Sequence, residues 1–153
     1  MKTLGRASDK AELVARLRTL RPETARVWGR MSVHQMVCHV GDSFRMCLGE
    51  QAVTPRSGPI QRTLLKWVVL YVPLPWPAGI TTSPELDQAR GAGTCPSDFA
   101  ADVARVEVLM DASTTRDVRF EWPLHPIFGR MSAAAWLRWA WLHTDHHLRQ
   151  FGA

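Results

Sequence analysis

The chain has 153 residues, 46% of them hydrophobic, with 19 basic against 14 acidic side chains and a net charge of +5. This length suits one domain over residues 1–153 with a sizeable core, and the apolar share with seven tryptophans excludes a disordered chain. The basic surplus is scattered and comes with no recognition motif, which argues against nucleic acid, and no apolar run nears the ~20 residues of a membrane span.

Read in chain order, apolar spacing predicts helices. Residues Ser8 to Leu20 form the first, with Leu13, Leu17 and Leu20 on one face. Its arginines and those that follow, Arg16, Arg18, Arg21, Arg26 and Arg30, read as a solvated surface. Ser32 then caps a second helix, Gln35 completes a capping box, and Met31 with Met36 makes a hydrophobic staple. Val33, Met36, Val37, Val40, Phe44, Cys47 and Leu48 carry that helix to about Glu50. A long connection follows over 51–96, with a short helix near Ile60 to Tyr71 and irregular chain after it. The segment "WVVLYVPLPWP" would form a large apolar patch if exposed, and is expected to pack over the helices or in a dimer interface rather than on a membrane. Ser97 is the expected cap of a third long helix with the stripe Phe99, Val103, Val106 and Met110, ending near Ser113. Residues 117–129 alternate briefly and end in prolines, as an extended linker. "GRMS" at 129–132 repeats "GRMS" at 29–32, so Ser132 caps the last helix with Met131 stapled to Trp136. Four main helices with one long crossover between the second and third predict an all-α four-helix bundle.

The last helix holds "HTDHH", three of the six histidines within residues 143–147. At about 100° per residue, with His143 at zero, His147 lies at about 40° and Trp136 at about 20°. Arg138, Asp145 and Arg149 fall at about 200–240°, so His143 and His147 point inward. Either each is a core residue bonded to a neighbour, or the i, i+4 pair shares a metal ion. Thr144 occupies the place of a zincin glutamate, which excludes that metalloprotease motif. His39 is the best third ligand, at the edge of the second helix's apolar stripe beside Met36, in a polar seam with Gln35 and Ser43. His34 points away from the stripe, and His125 lies in the proline-flanked linker.

The segments "WGRMSVHQMVCHVGDSFRMCLGE" and "HPIFGRMSAAAWLRWAWLHTDHHLRQFG" together resemble the DinB-like superfamily of metal-dependent enzymes, in one of its uncharacterised branches. The resemblance covers roughly residues 25 to 152. It implies a bundle of up-down-down-up order, often a homodimer, and a divalent metal held by three histidines at the positions of His39, His143 and His147. It also implies thiol-dependent transfers and isomerisations that use low-molecular-weight thiols.

A three-histidine ion leaves a position open for water or a small-molecule substrate, so a transferase or hydrolase is the expected activity. Imidazole suits zinc, nickel, copper and iron, with zinc or nickel preferred. Gln35, Asp42 and His146 are candidates for outer or proton-transfer groups, and Cys95, ahead of the Ser97 cap, for a reactive thiol. The rival is a non-catalytic metal-binding or interaction bundle. The polar start "MKTLGRASDKAEL" and three cysteines without paired spacing place the chain in the cytoplasm, with reduced thiols.

Overall fold

The computed structural model describes residues 1–56, 58–79 and 82–153. Ile80 and Thr81, within the stretch read as irregular, lie outside the described residues, as does Ser57. Among the described residues the chain is all-helical, with five α-helices and no strand. They are α1 (Ala7–Leu17), α2 (Val33–Cys47), α3 (Lys66–Tyr71), α4 (Phe99–Thr114) and α5 (Ala133–Arg149). One π-helical turn, Gln61–Leu65, leads into α3, and two 3₁₀ turns, Pro84–Leu86 and Gln88–Arg90, lie in the crossover.

The repeated tetrad makes the same local structure twice. Gly29 and Gly129 both adopt left-handed backbone, with φ of 84° and 64°. Ser32 and Ser132 then cap α2 and α5 with nearly identical dihedrals, accepting from the amides of Gln35 and Ala135. The Ser32 capping box is complete, because Gln35 Oε1 accepts from the Ser32 amide at 2.8 Å. Both staple pairs, Met31 with Met36 and Met131 with Trp136, are buried. The cap of α4 falls one residue later than predicted. Asp98, not Ser97, accepts from the Ala101 amide, at 2.7 Å, because a carboxylate at this place satisfies the free amides and favours the helix dipole.

Helix α2 packs against both α4 and α5, and α1 packs against α4 and α5 in turn. The shared core joins Leu13 and Leu17 of α1, Met36, Val37, Val40 and Phe44 of α2, Val106 and Met110 of α4, and Trp136 and Leu148 of α5. Each such side chain contributes roughly 1.5–3 kcal/mol through burial. No helix among the described residues is long and apolar enough to cross a membrane.

The crossover is fastened from beneath by one carboxylate. Asp42 on α2 is 1% exposed and accepts from Gln88 Nε2 at 2.6 Å and from both the amide and hydroxyl of Thr94. Helix α3 buries Leu70 and packs on α5, while Ile60, Leu64, Trp67, Tyr71 and Leu74 stay exposed. The apolar crossover segment therefore covers the helices with one face and shows the other to solvent. Residues 117–129 form no strand; their one bridge pairs His125 with Gly129.

One expectation about α5 is wrong. Arg138 does not share the solvated face of Asp145 and Arg149; it is 9% exposed, and its guanidinium donates to the carbonyls of Leu70 and Lys2. Chain segments arriving from α3 and the N-terminus cover that part of the helix, and helical periodicity alone carries no information about them. Asp145 and Arg149 do pair at the surface, at 2.9 Å, with Arg16 joining Asp145 at 2.7 Å.

Candidate metal centre

Helix α2 contributes His39, and α5 contributes His143 and His147 one turn apart. One nitrogen from each ring lies within 4.8 Å of the others. Ring centroids stand 5.1 Å apart for His39 and His143, and 4.6 Å for each of the other two pairs. His39 and His147 are buried, and His143 is partly exposed.

The hydrogen bonds around the triad set its tautomers. His39 Nδ1 meets the Leu86 carbonyl at 2.8 Å, so that nitrogen is the donor and Nε2 keeps its lone pair. Gln150 Nε2 donates to the Trp28 carbonyl at 3.0 Å, which turns its Oε1 toward His147 Nδ1 at 2.9 Å. His147 therefore donates from Nδ1 and also keeps a lone pair on Nε2. His39 Nε2 faces His143 Nε2 at 3.3 Å. A proton on His143 Nε2 would make that contact a hydrogen bond. Two ligands on a tetrahedral zinc at ~2.0–2.1 Å would stand ~3.3–3.4 Å apart, so the same spacing also fits an ion. A donor set of three neutral imidazoles, two of them oriented by a carbonyl and a carboxamide, could hold a metal ion.

Burial pushes all three imidazoles below their ordinary pKa, most strongly His143 and His147, where the neighbouring rings add to the effect. The Leu86 carbonyl and Gln150 oppose this for His39 and His147 without overcoming it. The rings are thus neutral, the form that ligates metal, at neutral pH.

The triad lies in the wall of a cavity of about 470 Å³. Val69 and Trp76 from the crossover, Phe128 from the linker and Trp139 from α5 make most of its surface apolar. Trp139 stacks on His143 with centroids 4.7 Å apart and planes at 19°. No lysine, arginine or carboxylate is among the described lining residues. His146 also lines the cavity, 6% exposed, with Nδ1 unpartnered.

The other candidate residues lie elsewhere. Gln35 is taken up by the capping box and by the Gln88 carbonyl at 3.1 Å, and Asp42 serves the crossover. Asp42 still matters indirectly, because the segment it holds carries the Leu86 carbonyl to His39. Cys95 is exposed and is not among the lining residues. His34 turns away as predicted, and its Nε2 meets Asp102 at 2.8 Å. With Cys38 these two form a second close group of potential ligands. Its hydrogen bonds already use the carboxylate, which also accepts from the Ser97 amide and, at 2.6 Å, from Arg105. Burial, with Asp102 alongside, pushes the Cys38 thiol up to about 12, so it is a protonated donor rather than a thiolate ligand.

Three residues that orient the triad or line the cavity were not identified from the sequence. Gln150 follows His147 by three positions, a spacing that brings side chains together on a helix and was a readable signal. The Leu86 carbonyl had none, because a main-chain acceptor in irregular chain leaves no mark on residue type. His125, read as part of a linker, is 3% exposed and lines the cavity. Its proline-flanked position gave no sign of that burial. No curated protein and no solved structure matches the chain. A family model described as a protein of unknown function, DUF1569, matches residues 5–153, and the chain belongs to that family.

Proposed function

We propose that the chain is a metal-dependent enzyme, a single-domain four-helix bundle of DinB-like type and up-down-down-up order. His39, His143 and His147 hold one divalent ion, zinc or nickel, and a small molecule occupies the apolar cavity beside it. The observation that carries this reading is the approach of the His39 and His143 Nε2 atoms to 3.3 Å, with a third lone pair on His147 set by Gln150. When bound, such an ion supplies Lewis acidity to a substrate or low-molecular-weight thiol entering its open position. The chain's own part is to orient the ligand rings, exclude water through Trp76, Phe128 and Trp139, and hold an apolar substrate body. A thiol-dependent transfer or a hydrolysis is the reaction class this arrangement suits.

The cavity's lack of a carboxylate or lysine among its described lining residues favours a second reading, a bundle that binds metal without turnover. A panel of thiol–electrophile pairs and activated esters, assayed with zinc or nickel added, separates the two. Turnover that disappears in His143→Ala supports the enzyme. Bound metal with no turnover across the panel supports the second reading. The exposed apolar face at Leu64, Trp67, Tyr71 and Leu74 is the proposed contact of a homodimer. Light scattering should give twice the chain mass, and Trp67→Glu should halve it; a monomer mass for the unaltered chain at micromolar concentrations would reject the dimer.

A further inference from the structure

A second cavity, of about 610 Å³, borders the triad. Thr82, His146 and His147 line both it and the apolar cavity, so the two adjoin along the end of α5. Their walls differ in chemistry. The apolar cavity has no lysine, arginine or carboxylate among its described lining residues, whereas Arg30, Arg56 and Arg90 line the second against a single carboxylate, Asp87. These arginines come from three places in the chain: just ahead of the α2 cap, the start of the crossover, and its second 3₁₀ turn. Asp87 Oδ2 stands 3.8 Å from Arg30 Nη2 and 3.3 Å from Arg90 Nε, so two guanidinium groups share one oxygen. Arg56 acts on Glu85, but that carboxylate accepts from the Thr54 amide at 3.1 Å and is not among the described lining residues. Three guanidinium groups against one carboxylate leave a surplus of two positive charges in the wall. The Arg30 and Arg90 side chains are both 69% exposed, so a ligand can reach them. A concave surface with one sign of charge concentrates the opposite ion.

Guanidinium forks match carboxylate and phosphate oxygens two at a time. We propose that this cavity seats the anionic end, a carboxylate or a phosphate ester, of the small molecule whose reactive part meets the triad. This rests on the reading of the triad as a reactive metal centre and deepens it by naming a substrate class. The apolar cavity offers such an end nothing, because a charge there would lose its water without gaining a partner. The division of charge between the two cavities therefore fixes the ligand's direction. Its apolar body lies beside Phe128 and Trp139, its anionic end lies at the arginines, and His147 stands in the wall that both cavities share.

The probes are phenylbutyrate, phenylbutyl phosphate and phenylbutyramide, which share an apolar body and differ in the charge of the head group. Each is titrated by calorimetry at pH 7 into the full chain stripped of metal, so that a head group on an ion cannot account for any preference. The better-bound anion should exceed the amide roughly tenfold in affinity, and which anion it is identifies the head group. Arg30→Gln/Arg90→Gln should lower the affinity for that anion roughly tenfold and change that for the amide less than twofold. Arg18→Gln/Arg119→Gln removes the same charge from residues that do not line the cavity, and should leave binding within twofold. The bound anion should also shift the His147 ring proton resonances. The proposal is overturned by an amide that binds as tightly as both anions, by equal losses in the two double variants, by unmoved His147 resonances, or by failure of both anions to bind at millimolar concentration. The resonance test needs no variant, so a misfolded variant does not remove it. Zinc titration of the same preparation reports on the metal reading separately.

Discussion

Gln150→Leu tests whether the triad is organised for metal or merely buried. The substitution keeps side-chain size but removes the acceptor, 2.9 Å from His147 Nδ1, that fixes the ring's hydrogen on that nitrogen and leaves the lone pair on Nε2. Loss of an outer partner of this kind costs about 10–100-fold in metal affinity, or about 1.4–2.7 kcal/mol. The same change strips the Trp28 carbonyl of its donor at 3.0 Å, which should lower stability by about 1 kcal/mol. Gln150→Glu separates the two effects. Its carboxylate still accepts from His147 but cannot donate to Trp28, so stability should drop while zinc affinity is retained. The assay is calorimetric zinc titration against a competing chelator, with thermal melts of the metal-free variants alongside. Gly29 should be equally intolerant, because its φ is 84° and an added Cβ would press on the Gln150 amide. A folded Gln150→Leu chain that binds zinc within twofold of the unaltered chain would refute the reasoning.

Burial pushes the His125 imidazole from 6.5 down to about 3. Between those values the unfolded chain binds more protons, so stability is full above about pH 6.5 and is lost as pH falls toward 3. This group alone contributes a slope of up to about 1.4 kcal/mol per pH unit, and the other buried histidines act in the same direction. Urea unfolding of His125→Asn across pH 4–7 should show a shallower loss; an unchanged slope contradicts the assignment. Cysteine reactivity should be equally uneven. Burial raises the Cys38 thiol to about 12 and the Cys47 thiol well above its ordinary value, whereas Cys95 is exposed. A disulfide reagent at pH 8 should titrate one thiol at once and the others only on unfolding; three fast thiols would contradict the packing of α2.

The parts of the fold that were legible depend on local rules. Both serine caps follow from the "GRMS" tetrads, whose glycine and serine backbones repeat in the structure as they do in the sequence. The inward direction of His143 and His147 follows from 3.6-residue periodicity, and their meeting with His39 follows from the family resemblance together with the polar seam on α2. What periodicity missed comes from contacts distant in the chain. Arg138 is buried because the Leu70 and Lys2 carbonyls reach it from α3 and the N-terminus. His39 is oriented by a carbonyl 47 residues away. His125 is buried because a short turn folds back onto Trp136 and Trp139, although its flanking prolines read as exposed linker.

The most direct test of the metal centre is the zinc stoichiometry and affinity of the chelator-stripped chain, compared with His39→Ala, His143→Ala and His147→Ala. Burial keeps the three imidazoles neutral below their ordinary pKa, so the titration at pH 7 finds all three ready to ligate. One equivalent should bind to the unaltered chain. Each substitution should weaken binding by more than the ~10–100-fold that loss of an outer partner costs. No stoichiometric metal in the unaltered chain, or undiminished affinity in the three variants, would contradict the account.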